Sequence, residues 1–231
     1  MSNVIHFIHG GGFVMYPLLL LALAAITVIV ERLIAFSQFG GVPGGLLAEV
    51  LSLARGGRYD EAKQRCEASR GPLAACLFVV LNHRTQPTRE IERLVEETGQ
   101  DYFIKLERLL PVLDTTTTIA PLLGLLGTIA GMIGAFNAIA LQQHRGNNDS
   151  VLSGVGEALY ATATGLVIAV ICFAAYNYFV ARLRTVTVQT EQGATKLMNV
   201  LVEQHHMVRS GHDNHAEPAG KENARAVQAA S

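Results

Sequence analysis

Apolar residues gather into three long runs, at 13–31, 114–141 and 154–181, and between the first two the pattern turns amphipathic. About 20 mostly apolar residues are enough for a helix to cross the hydrocarbon core of a bilayer. The three runs reach that scale, the first most narrowly, and each predicts a transmembrane helix. The stretch 32–113 predicts a helical section outside the membrane. Leu46, Leu47, Val50, Leu51 and Leu53 form a helix-period stripe that Gly56 and Gly57 end. A short helix rich in good helix formers follows over 59–68. Gly71 and Pro72 punctuate, and 73–82 predicts an apolar helix too short to span.

From 88 to 110 the chain reads as one amphipathic helix. Ile91, Leu94, Val95, Tyr102, Phe103, Leu106, Leu109 and Leu110 supply its apolar face, and Glu90, Arg93, Glu96, Glu97, Lys105 and Arg108 a solvated one. Pro111 and Pro121 predict bends in a near-continuous helix that runs on into the second span. Leu197, Val200, Leu201 and Val208 carry the third run onward as a helical extension over 182–209. The remainder, 210–231, is small and polar and reads as a disordered tail. The expected fold class is therefore all-α, an integral membrane protein with three transmembrane helices.

Charge adds orientation. The 231 residues carry a net charge of only -1, which leaves no basic footprint for nucleic acid. Of 18 Lys and Arg, eleven lie in 32–111 and six from 182 onward, while the loop 142–153 holds only Arg145. The positive-inside rule then places 1–12 and 142–153 in the periplasm and 32–113 and 182–231 in the cytoplasm. No Lys or Arg precedes the first run and no small-x-small cleavage site follows it, so it does not read as a signal peptide. Cys66, Cys76 and Cys172 form no C-x-x-C pair and read as isolated thiols. His205, His206, His212 and His215 cluster near the tail, but without a second ligand set no metal site is predicted.

The second and third runs carry the candidate chemistry. Gly124, Gly127, Gly131, Gly134 and Ala138 recur every three or four residues, a small-residue ridge that lets helix backbones approach closely in lipid. Thr162, Gly165, Ala169 and Cys172 form a small face on the third run. Polar residues inside hydrocarbon usually face a bundle interior or a pathway, which singles out Thr128, Glu157, Thr162, Thr164 and Asn177. Each also has a structural reading. Thr128 and Thr162 can bond a carbonyl one turn back on their own helices, and Glu157 can be a helix N-terminal acid close to water. Thr164 follows Glu157 by one heptad and shares its face, whereas Thr162 is rotated from Glu157 by roughly 140°. Those two can line one pathway only at different depths. Glu31 and Asp114 sit at the inner boundary as interfacial anchors. No Asp, Glu, His, Lys or Arg lies in the middle third of any run. A proton relay through this chain would need a partner to supply the missing acid or base. A non-conducting scaffold explains the ridge equally well but not the placement of Glu157 and the threonines. A solute transporter is opposed by the lack of a paired inverted repeat.

Together these residues carry a resemblance. The segment Pro121-Leu-Leu-Gly124-Leu-Leu-Gly127-Thr128, then Gly156-Glu157-Ala-Leu-x-Ala-Thr162 and Ala175-Tyr-Asn177, resembles the MotA/TolQ/ExbB proton-channel family. Met15-Tyr-Pro-Leu-Leu-Leu-Leu21 and Glu31-Arg32-Leu33 are similar to the family's first span and its exit. Three spans fit the ExbB/TolQ branch rather than the four-span MotA branch. The resemblance implies an inner-membrane homopentamer whose pore holds the helices of two ExbD- or TolR-like single-span subunits, each bringing one Asp. It implies that Thr128 and Thr162 are pore-lining threonines near that Asp, that Glu157 is a pore-side acid, and that Pro121 and Asn177 are further motif positions. Thr164 adds a hydroxyl to the pattern, and Tyr160 is larger than the usual residue. The implied activity is proton flow that turns the ring and drives a TonB- or TolA-like partner, with no enzymatic reaction and no cofactor. ExbB-like work in outer-membrane transport is the leading expectation, and TolQ-like envelope maintenance the alternative.

Overall fold

A computed structural model describes residues 12–39, 45–141 and 148–213. The expected N-terminal segment, much of the loop after the second run, and the end of the tail with His215 lie outside the described residues. Within them helix is the regular secondary structure, joined by turns, with no strand. In chain order the helices are α1 (Met15–Phe39), α2 (Leu46–Arg55), α3 (Tyr59–Ala68), α4 (Pro72–Asn82), α5 (Thr88–Glu107), α6 (Leu110–Leu141) and α7 (Asn148–Asp213). Three helical stretches are long and apolar enough to cross a membrane, Met15–Gln38, Thr88–Asn137 and Gly154–Gln204.

The chain divides into two compact units, one made of Met1–Ser37 with Ile104–Arg184, the other of Gln38–Phe103 with Thr185–Ser231. In the first, the span unit, α1 buries Met15, Leu18, Ala25, Val28 and Phe36 against Leu110, Leu113, Ala120, Ile168, Ala169, Cys172 and Phe179. Phe36 stacks on Phe179 with ring centroids 5.5 Å apart. The opposite faces stay bare: Leu20, Leu23 and Ile26 on α1, and Val167, Val170 and Phe173 on α7, are all exposed. Such a surface is stable against hydrocarbon or other apolar helices, not against water.

The break between α5 and α6 is sharper than a bend. The two helices are separate, divided by a turn at Arg108 and Leu109. Pro111 takes the second position of α6, where a helix has no use for the missing N–H. Pro121 falls inside α6. Arg32 is only 3% exposed and secures the end of α5. Its guanidinium pairs with Glu31 and donates from Nη1 to the carbonyls of Lys105 (3.0 Å) and Leu106 (2.7 Å). The last carbonyls of a helix lack intrahelical donors, and here a buried cation supplies them.

In the second, the short-helix unit, α4 is buried nearly all round through Leu73, Ala74, Cys76, Leu77, Val80 and Leu81. Leu46, Val50 and Leu53 of α2, Ile91 of α5, and Ala194, Leu197 and Leu201 of α7 close around it. Gly57, at φ +74, ends α2. The Arg58 and Gly57 amides donate back to the Leu53 and Ala54 carbonyls, a Schellman closure. Gln204 adds bonds of 3.0 Å to the carbonyls of Ala54 and Arg55 and accepts the Tyr59 hydroxyl at 2.6 Å. Burial pushes the Cys66 thiol up to about 11 and Cys76 to about 12, so both remain protonated structural thiols.

Candidate functional site: the α6–α7 crossing

α6 and α7 of the span unit meet through backbone rather than large side chains. A Cβ built on Gly124 would lie 3.0 Å from the Thr162 Cα and 3.1 Å from the Ala161 carbonyl oxygen. One built on Gly127 would strike the Ala161 Cβ, and one on Gly131 would lie 2.8 Å from the Gly154 carbonyl oxygen. From the other side, a Cβ on Gly165 would run into the Ala120 carbonyl oxygen. Gly134 differs: a Cβ there would meet nothing within 4 Å, so it takes no part in this seam. The Ala138 side chain lies outside the described residues.

On α7 the seam consists of Gly154, Ala158, Ala161 and Gly165, and it continues through buried Ile168, Ala169 and Cys172. The small face expected from the sequence includes Gly165, Ala169 and Cys172 but misses Gly154, Ala158 and Ala161. Their signal was present as small residues at spacings of four, three and four.

The polar residues divide according to where their protons go. Thr128 is half-buried and donates to the Leu125 carbonyl of its own helix at 2.7 Å. Thr164 donates to Tyr160 at 2.8 Å and Asn177 to Phe173 at 2.9 Å, again within α7. Thr162 departs from the one-turn-back reading. Its hydroxyl crosses to α6 and donates to the Gly124 carbonyl at 3.0 Å. In a continuous α-helix that carbonyl also receives the Thr128 amide, four residues on. Gly124 thus gathers the Thr128 backbone and the Thr162 side chain onto one oxygen, and the absent Cβ at 124 makes this approach possible. Glu157 lies on α7, but its side chain is outside the described residues, as are those of His205, His206 and His212. Among the described residues no group of His, Cys, Asp and Glu is placed to hold a metal ion.

A bundle of apolar helices with its outer faces bare and threonines set at a glycine seam defines a helical membrane protein built around a polar crossing. Comparison with known proteins gives the family. Residues 68–192 match the MotA/TolQ/ExbB proton channel family, and the chain belongs to it. The putative biopolymer transport protein ExbB-like 3 of Synechocystis sp. is 33% identical over 173 residues, covering 73% of this chain and 81% of that protein. ExbB-like 1 of the same organism is 32% identical over 174 residues, covering 74% and 68%. The Tol-Pal system protein TolQ of Pseudomonas aeruginosa is 42% identical over 78 residues, about a third of either chain (34% and 33%). This is a family of ExbB/TolQ proton-channel type, not a known enzyme family, and both kinds of relative occur among the matches.

Proposed function

We propose that this chain is the channel subunit of an inner-membrane energy-transducing complex, ExbB-like, which uses the proton motive force to drive TonB-dependent transport across an outer membrane. The observation that carries the reading is the Thr162–Gly124 bond beside Thr128, a polar junction within two mostly apolar spans. Thr128 and Thr162 line a proton pathway there, with Glu157 and Thr164 on another face of α7. Five copies form a ring, and the bare apolar faces meet lipid and neighbouring copies. The pore holds two copies of an ExbD- or TolR-like single-span protein, each contributing the carboxyl group that these spans lack at their centre. The N-terminus lies in the periplasm, and the short-helix unit and C-terminal tail in the cytoplasm, following the Lys and Arg distribution. TolQ-like envelope work is the second reading, favoured by the segment shared with TolQ of Pseudomonas aeruginosa.

Native mass spectrometry of the gently purified protein tests this. The expected result is five copies carrying two of a single-span, Asp-bearing subunit. The identity of that subunit decides between the TonB and Tol systems. A ring without it, under conditions that preserve complexes, returns the protein to the scaffold class.

A further inference from the structure

Among the described residues of the short-helix unit, every large apolar side chain but two is at least partly buried. The two are Val188 and Val202, 41% and 38% exposed, and both lie on α7. They are two heptads apart. Seven residues fall about 20° short of two helical turns, so positions seven apart keep nearly one face. Thr195 lies midway between the valines, and Thr185, Gln192 and Asn199 fill the alternate positions. The six residues step by three and four along the helix; all are exposed and none is charged. Charge stands beside this stripe instead, with Glu191 on one flank and Lys196 and Glu203 on the other. A solvated helix face is ordinarily rich in charge, as on α5, where Glu92, Glu96 and Glu97 are exposed.

An uncharged exposed stripe at heptad spacing, with charges on its flanks, is the pattern of a helix that packs lengthwise against another helix. Topology and charge decide which one. All copies of a membrane chain share one orientation, so their α7 helices run parallel. In a parallel pair, a residue on the first flank of one helix lies opposite the residue five positions later on the second flank of the other. Here those residues are Glu191 and Lys196, opposite in sign. Neither has an ion pair within its own chain among the described residues. The next such pair, Met198 and Glu203, brings no like charges together. We propose that this stripe of α7 is a parallel, in-register seam with a second copy of the chain, in which Glu191 of each copy pairs with the neighbour's Lys196. This rests on the reading above that copies of the chain form a ring. Val188, Thr195 and Val202 then meet their counterparts level with themselves. Gln192 and Asn199 place amides in the seam, which weakens it but fixes its alignment, since a slipped register sets amides against valine.

Disulfide trapping in the full-length protein, kept in its own membrane, reads the seam directly. A disulfide forms only where two Cα atoms come within about 7 Å. Cys66, Cys76 and Cys172 are buried, so the background is low. With a mild oxidant added, Thr195→Cys is expected to convert most of the protein to covalent dimer, and Val188→Cys and Val202→Cys to do the same. Ala68→Cys, exposed on α3, stays monomeric on the same gel. In the Thr195→Cys protein, Glu191→Lys turns attraction into repulsion and lowers the trapping rate about threefold. Adding Lys196→Glu restores the opposite signs and the rate. No trapping at any of the stripe positions, in a protein that native mass spectrometry finds in several copies, overturns the seam and leaves the ring. Trapping at Ala68→Cys as strong as on the stripe, or a rate that Glu191→Lys leaves unchanged, overturns the seam as well. A single copy under conditions that preserve complexes overturns seam and ring together.

Discussion

In the span unit α6 and α7 touch through Gly124, Gly127, Gly131, Ala158, Ala161 and Gly165, while Leu122, Leu126, Ile129, Val167, Val170 and Phe173 are exposed. In the short-helix unit Leu53, Leu77, Val80, Leu81 and Leu197 are inside, and Arg58, Glu61, Arg65 and Arg93 are outside. One helix, α7, serves both. Its buried positions recur mostly every three or four residues from Ala158 through Ala161, Gly165, Ile168, Cys172, Phe179, Val186, Thr190, Ala194 and Leu197 to Leu201. Small residues hold it where α7 crosses α6, and larger ones such as Phe179, Val186, Leu197 and Leu201 enter further along. Water rewards burying leucine, so the short-helix unit fills its centre with large side chains. Lipid offers no such gain, and helices in it associate by close contact between backbones, which needs residues with little or no side chain.

The largest test of that contrast is the same substitution made in both regions. In Gly165→Ala the new Cβ meets the Ala120 carbonyl oxygen and lies 3.2 Å from the Gly124 Cα, both rigid backbone. The expected loss is about 3 kcal/mol, the upper range for overpacking, read as a lower unfolding midpoint in detergent. In Gly193→Ala the nearest atom is the Cδ1 of Leu73, 2.5 Å away at the end of a side chain that can rotate. Replacing a helical glycine by alanine gains about 1 kcal/mol, so the net effect there stays within about 1 kcal/mol of zero. Equal losses at the two sites would mean that the units are packed by the same rule.

Much of this architecture is legible in the amino-acid pattern alone. The helix over 59–68 and the apolar helix beginning near 73 come directly from period and punctuation, because local propensity and burial agree there. The amphipathic helix from Thr88 is equally plain, but its end is not. Its apolar face runs on through Leu109 and Leu110, and Pro111 announces a bend there but not the full break that the chain makes at Arg108 and Leu109. The helix end before that turn is held by Arg32, more than 70 positions earlier in the sequence, through Lys105 and Leu106. The crossing is half legible for the same reason. Spacing marks the glycines of α6, yet Gly134 fits the spacing and faces open space. Thr162 has the composition of a one-turn-back threonine and instead bonds a residue 38 positions away. Periodicity reports which face a residue occupies on its own helix, not which partner reaches that face.

A smaller effect is expected where a side chain caps a helix end in each unit. Arg32→Met leaves the Lys105 and Leu106 carbonyls without their guanidinium donor in a buried place, and should cost about 2 kcal/mol or more. Gln204→Ala removes two comparable bonds from the end of α2, but the Ala54 carbonyl keeps its bond from the Gly57 amide. Its expected cost is about 1 kcal/mol. Chemical denaturation of the two variants separates them. A larger loss in Gln204→Ala would show that the Schellman closure does not hold α2 without its side-chain donor.

The smallest effect is also the most diagnostic, because its sign differs between two threonines of one helix. Thr162 has its hydroxyl bonded to Gly124. Thr190 is 1% exposed, and its hydroxyl has no hydrogen-bond partner among the described residues. A buried hydroxyl without a partner costs more than it contributes, and an apolar group of the same shape removes that cost. Thr190→Val should therefore stabilise the short-helix unit, by about 1 kcal/mol, while Thr162→Val weakens the span unit by about the same amount. Paired unfolding curves in one detergent decide the matter. If Thr190→Val instead destabilises, the hydroxyl has a partner in the working protein, and the buried stripe along α7 carries a polar contact at Thr190.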